Sequence, residues 1–227
     1  MFLGHYAVAL AAKKAAPEAR LGTLAMAAQW LDLLWPIFLL LGLEHASIEP
    51  HATRVTPLNF YDYPLSHSLL MSVLWGAAFA AVYYFAHRTL SRRTCSAALV
   101  LGLCVVSHWL LDWFSHRPDM PLWPGHSPLF GLGLWNHPAA SIAVEFGGFA
   151  VALVVYWRVA ARSIRPLVFW PLVAMLLLIS ASSYLGRVPP GIKPVMWTAF
   201  AQWIFVAWAY AAERPITPPA LPSARPR

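Results

Sequence analysis

CSAALVLGLCVVSHWLLDWFSH, residues Cys95–His116, opens with thirteen uncharged residues and closes with three ionisable ones spaced four apart, His108, Asp112 and His116. The opening reads as the apolar body of a bilayer-spanning helix. The spacing places the three ionisable side chains on one helix face. Imidazole and carboxylate on a shared stripe are metal-ligand types. This run therefore predicts both a membrane helix and a membrane helix that carries chemistry.

The rest of the chain agrees with a membrane setting. Of 227 residues, 59% are hydrophobic and only 11% charged, too apolar for a soluble domain. Six spans can be drawn: Leu21–Leu43, Ser66–Ala86, Cys95–Phe114, Ala139–Trp157, Pro166–Gly186 and Val195–Ala212. A shorter apolar segment, Phe2–Ala12, cannot cross alone and is expected at the interface or as a half-helix. The twelve tryptophans suit membrane interfaces. The expected fold is all-α, a polytopic helix bundle in one integral membrane domain, 1–213. Its residues 1–148 hold the site and 149–213 serve as scaffold helices. The proline-rich tail 214–227 is expected to be disordered. MFLGHYAVALAAKK has no basic region ahead of its apolar stretch and is read as part of the mature chain.

A net charge of +7 raises the question of nucleic acid, but the basic residues are scattered through short connections and form no patch. They sort by side instead. Lys13, Lys14, Arg20, Arg88, Arg92, Arg93, Arg158, Arg162, Arg165, Arg214, Arg225 and Arg227 fall on one side of the six spans. Arg54, Arg117, Arg187 and Lys193 fall on the other. Both termini are therefore expected in the cytoplasm. The outer side then carries two long connections, Glu44–Leu65 and Ser115–Pro138. The second, rich in Pro, Gly and Trp, is no regular helix and could cover an opening. Cys95 and Cys104 form no CxxC motif and read as small apolar side chains.

An ionisable group inside a span costs about 2.5–3.5 kcal/mol on insertion scales, so each one needs a reason. Asp32 lies mid-span, about 16 Å from the inner interface, and His108 about 20 Å, at a rise of about 1.5 Å per residue. His5 reaches about 12 Å if Phe2–Ala12 dips inward. His67, Asp112 and Glu145 can meet them from the outer side, giving one polar chamber open outward. His5, Asp32, His67, His108, Asp112 and Glu145 suit a divalent metal, zinc first, with manganese or iron as alternatives. They exceed one tetrahedral site, which argues for more than one ion. His45, His51, His87, His126 and His137 read as polar anchors or loop residues, and Asp62 and Asp119 as solvated loop charges. The last two spans contain no ionisable side chain.

GHYAVALAAKK, QWLDLLWP, YPLSHSLL and VVSHWLLDWFSHRPDMPLWP together resemble the ordered motifs of bacterial membrane-bound metal-dependent hydrolases. These are similar in pattern to the zinc-dependent phospholipase C and P1 nuclease group. The resemblance covers roughly Met1–Gly148. It implies metal-ligand places at the same six residues and a weaker match at His116. Two departures stand out: a single Asp32 where the family commonly has Pro-Asp-x-Asp-His, and Tyr63, Pro64, Leu65 and Ser66 ahead of His67. The expected function is metal-dependent hydrolysis of a phosphoester in an amphiphilic or lipid-linked substrate at the inner membrane. Asp32 orients or deprotonates water, Arg117 steadies a phosphate, and His116 is a further catalytic candidate. The alternatives are a metal-ion or proton transporter, a haem protein with His67 and His108 as axial ligands, and a catalytically inactive metal-binding protein. The sequence leaves the oligomeric state open.

Overall fold

The computed structural model describes residues 1–87 and 91–214. Beyond Arg214, the tail expected to be disordered lies outside the described residues, as do Arg88, Arg225 and Arg227. The chain is an all-α helical bundle. In order come α1 (Phe2–Ala12), α2 (Leu21–Ala28), α3 (Trp30–Leu40), α4 (Pro64–His67), α5 (Leu69–Ala86) and α6 (Arg92–Ser115). Then follow α7 (Pro138–Ala160), α8 (Pro166–Leu185), α9 (Ile192–Phe200) and α10 (Gln202–Ala212). Two short antiparallel hairpins, β1 (His45–Ile48) with β2 (Leu58–Asp62) and β3 (Met120–Pro121) with β4 (Leu129–Phe130), occupy the two long connections.

α5, α6, α7, α8 and the α9–α10 pair are each long and apolar enough to cross a bilayer, and α2 with α3 makes a sixth crossing if the bent pair is one span. Their lipid-side faces expose Val82, Phe85, Leu99, Val151, Leu178 and Ile204. Such a surface belongs in hydrocarbon, where only helices and closed barrels satisfy their backbone groups. The starts follow local rules. Ser68 and Ser91 accept from the backbone N–H groups of Met71 and Thr94 at the heads of α5 and α6. Pro138 and Pro166 occupy the first turns of α7 and α8, where a missing N–H costs nothing. α6 stops as His116 turns extended, two residues ahead of Pro118.

The first drawn span is not continuous. α2 and α3 meet at 57° around Gln29, whose backbone leaves the helical region. Pro36 lies inside α3 and removes the N–H that would otherwise pair with the Asp32 carbonyl. α1 is a half-span of about 16 Å. It does insert: Leu3, His5, Tyr6, Ala9 and Leu10 are buried among α2, α6 and α7. Its C-terminal end is tied down by Lys13, which bonds Glu213 at 2.6 Å and the Ala19 carbonyl at 2.7 Å. Glu213 is fully buried and also accepts from the Leu21 N–H at 2.6 Å and the Ser163 hydroxyl at 3.1 Å. Arg20 adds a bond to the Tyr210 carbonyl at 2.7 Å. These contacts knit one end of the bundle, and α1 points its N-terminus from there into the interior.

Candidate metal centre

At the buried end of α1, four elements converge. α1 brings His5, α3 brings Asp32, α4 brings His67, and α6 brings His108 and Asp112. All but Asp32 are buried, and Asp32 is partly exposed to a cavity.

Two of the imidazoles are oriented by what their Nδ1 atoms meet. The break at Gln29 frees the Ala28 carbonyl, and His108 Nδ1 lies 2.8 Å from it. A carbonyl only accepts, so Nδ1 carries a proton and Nε2 is the ring atom turned to the cluster. His67 Nδ1 lies 2.7 Å from the Ser66 hydroxyl, which itself donates to Glu44 Oε2 at 2.6 Å. The hydroxyl's proton is engaged, so its oxygen accepts from His67 Nδ1 and turns Nε2 to the cluster. Ser66 N–H holds the other Glu44 oxygen at 2.7 Å. Burial pushes the Glu44 carboxyl above the usual carboxylate range.

Both Nε2 atoms face carboxylates. His108 Nε2 is 3.1 Å from Asp112 Oδ2 and 3.7 Å from Asp32 Oδ1. His67 Nε2 is 3.5 Å from Asp32 Oδ1 and 3.7 Å from Asp112 Oδ2. Facing carboxylate oxygens, each Nε2 is satisfied by a proton or by a metal cation held between them. His108 Nε2 and His5 Nδ1 are buried with no hydrogen-bond partner among the described residues. A tetrahedral ion with bonds of about 2.0–2.2 Å has ligand–ligand edges of about 3.3–3.6 Å. The four separations bracket that value. The donor set therefore fits a divalent metal ion.

Two triads can be drawn with ligand atoms within 4.8 Å of one another: His5, Asp32 and His108, and His67, His108 and Asp112. Both use His108. Its Nδ1 is committed to Ala28, so Nε2 alone serves both, and the triads are alternative seats for the same ion. His5 stacks on His108 at 3.5 Å and 4°. His5 Nε2 lies 3.2 Å from Asp112 Oδ1, which also takes the Met1 amino group at 2.5 Å.

The other three candidates are placed differently. Glu145 belongs to neither triad. It accepts from the Leu3 N–H at 3.0 Å and the Tyr184 hydroxyl at 3.4 Å, so it meets the positive N-terminal end of α1. His116 lines the cavity beside the cluster. Its Nδ1 donates to Asp119 Oδ1 at 2.9 Å, and Tyr63 donates to the same oxygen at 3.1 Å. Burial, with the Asp119 carboxylate adding to it, raises the Tyr63 hydroxyl far above its ordinary pKa and keeps it a donor. Arg117 turns away from the cavity lining. It bonds Asn59 Oδ1 at 2.5 Å and pairs with Asp119 at 3.5 Å and Glu49 at 3.7 Å, which pins the β1–β2 hairpin.

Glu44, Ser66 and Asp119 escape the sequence reading. Asp119 reads there as a solvated loop charge, yet it is buried and orients His116. Ser66 had a signal, its place beside His67. Glu44 had none, since it arrives from 22 residues upstream.

The cavity above the cluster holds about 410 Å³. Asp32, His67, Asp112 and His116, with Thr198 and Gln202, supply its polar lining, while Trp35, Phe60, Ile179, Val195 and Phe205 supply apolar wall. The helices expected to be mere scaffold, α8 to α10, thus form much of that wall. Comparison of the chain with protein-family models, curated proteins and solved structures finds no match.

Proposed function

We propose that this protein is a metal-dependent hydrolase of a bacterial cytoplasmic membrane, acting on a phosphoester in an amphiphilic substrate. One observation carries the reading. Two imidazoles, oriented at Nδ1 by Ala28 and Ser66, turn Nε2 toward two carboxylates in a buried pocket at the floor of an apolar cavity. The ordered motifs that resemble membrane-bound metal-dependent hydrolases point the same way. Zinc is the first choice for a set of imidazoles and carboxylates. We assign a single ion, because every triad found among the described residues draws on His108.

A bound divalent ion supplies Lewis-acid stabilisation of developing negative charge and activation of water. The chain's own residues do the rest. Asp32, the most accessible of the cluster, orients water at its carboxylate. His116, with its Nδ1–H held by Asp119, offers Nε2 to accept a proton and return it to the leaving group. The apolar wall accepts the substrate's hydrocarbon part and excludes bulk water. The cavity adjoins a recess bordered by Arg54 and Arg187, on the basic-poor side of the spans, which supports an opening away from the cytoplasm. A transport path would have to cross buried Leu10, Leu21, Leu24 and Leu101 on the other side of the cluster.

Metal content of detergent-purified protein tests the reading. Near-stoichiometric zinc is expected in the wild type and is lost in His108→Ala and Asp112→Ala, with phosphoesterase activity lost alongside. A wild type that binds no divalent ion after reconstitution would overturn it.

A further inference from the structure

Beside the cavity lies a second recess of about 570 Å³. Leu58, Pro189 and Val195 line both, so the two adjoin. Their characters differ. The cavity wall is apolar, whereas the outer recess is bordered by Arg54, from the β1–β2 connection, and Arg187, just after α8. Both are exposed, and neither has a hydrogen-bond or ion-pair partner among the described residues. Arg117, on the same side, is fully engaged by Asn59, Asp119 and Glu49. Two guanidinium groups on separate segments, left without counter-charge at the rim of one opening, suit a shared anion. Guanidinium matches phosphate oxygens in pairs, with charge assistance.

We propose that this rim is a binding subsite for an anionic group beyond the scissile phosphoester. The inference rests on the hydrolase reading and narrows its substrate class. The substrate is an amphiphile with at least two anionic groups, such as a lipid diphosphate. One anionic group sits over the His–Asp cluster, the apolar part lies along Ile179, Val195 and Phe205, and the second group reaches Arg54 and Arg187.

The test uses two non-hydrolysable probes, decyl phosphonate and decyl methylenediphosphonate, in equilibrium binding to the full-length, zinc-loaded protein in detergent. The wild type is expected to prefer the diphosphonate by about tenfold or more. Arg54→Ala/Arg187→Ala should bring that preference below about threefold and leave monophosphonate affinity unchanged, the latter serving as the control for folding. Equal wild-type affinities overturn the proposal, as does a preference that survives in the variant. Loss of both affinities together also overturns it, because the arginines would then act on the whole site. A metal-free arm separates the two readings. If stripping zinc leaves monophosphonate binding untouched, the hydrolase reading fails, while the arginine-dependent preference is scored independently.

Discussion

His108 is gripped at both ring nitrogens. One meets a backbone carbonyl that a helix break sets free, and the other meets a carboxylate on its own helix one turn away. His67 is held the same way through Ser66 and Glu44, a relay that keeps the ring in one orientation. Such outer partners of metal-binding histidines typically matter about 10–100-fold in metal affinity. Ser66→Ala should therefore weaken zinc binding by about 10–100-fold, and Ser66→Thr, which keeps the hydroxyl, should restore most of it; a competitive chelator titration reads both. His116 stands apart from the ligands. His116→Ala should lower kcat by about 10²–10⁴-fold while zinc content stays at the wild-type level. At this scale much was legible in the sequence. His5, Asp32, His67, His108 and Asp112 stand out because an ionisable group in an apolar stretch needs a partner, and the structure brings them together. Glu145 stood out for the same reason, but its partner is the head of α1. Spacing along one helix cannot reveal a partner carried by another. Glu44 and Asp119 lie in connections, where charge is the default and burial leaves no mark on the sequence.

Between elements, α5 and α6 approach backbone to backbone. A Cβ on Gly76 would lie 2.7 Å from the Gly102 carbonyl oxygen, and one on Gly102 would lie 2.9 Å from the Gly76 carbonyl oxygen. Small residues let membrane helices meet backbone to backbone, since hydrocarbon gives apolar faces no reason to associate. Gly76→Ala should destabilise the protein by about 1–3 kcal/mol as the helices are forced apart. Gly147, on α7, has no atom within 4 Å of such a Cβ. Gly147→Ala should be neutral or stabilise by about 0.4–1 kcal/mol, and paired unfolding titrations in detergent separate the two. The membrane helices were readable from hydropathy and their capping residues. The break at Gln29 was not, because no glycine or proline marks it and Pro36 lies a further two turns on. The two hairpins were hidden in stretches too rich in turn-forming residues to show alternation.

For the whole molecule, a metal that bridges α3, α4 and α6 binds the folded state alone and stabilises it by mass action. At free zinc near a thousand times its dissociation constant the gain is about 4 kcal/mol, so a strong chelator should lower the melting temperature measurably. His108→Ala should melt at one temperature with or without chelator. Orientation is testable by labelling intact cells with a membrane-impermeant maleimide. A cysteine at Arg187 should react and one at Arg162 should not, in a background where Cys95 and Cys104 are replaced by serine.

The position of α1 also has a temporal consequence. Leu3 reaches its partner Glu145 across 142 residues of chain. At a synthesis rate of about 5–20 residues per second, roughly 7–28 s pass between the emergence of the first and that of the second. A half-span cannot be released into lipid as a crossing helix, so α1 waits at the surface until α7 arrives. The ligands of α3, α4 and α6 are in the membrane well before His5 and the α1 N-terminus close over them. The seat formed by those residues thus stays uncovered on its α1 flank until α1 docks, and the Lys13–Glu213 bond can close only after α10 has emerged.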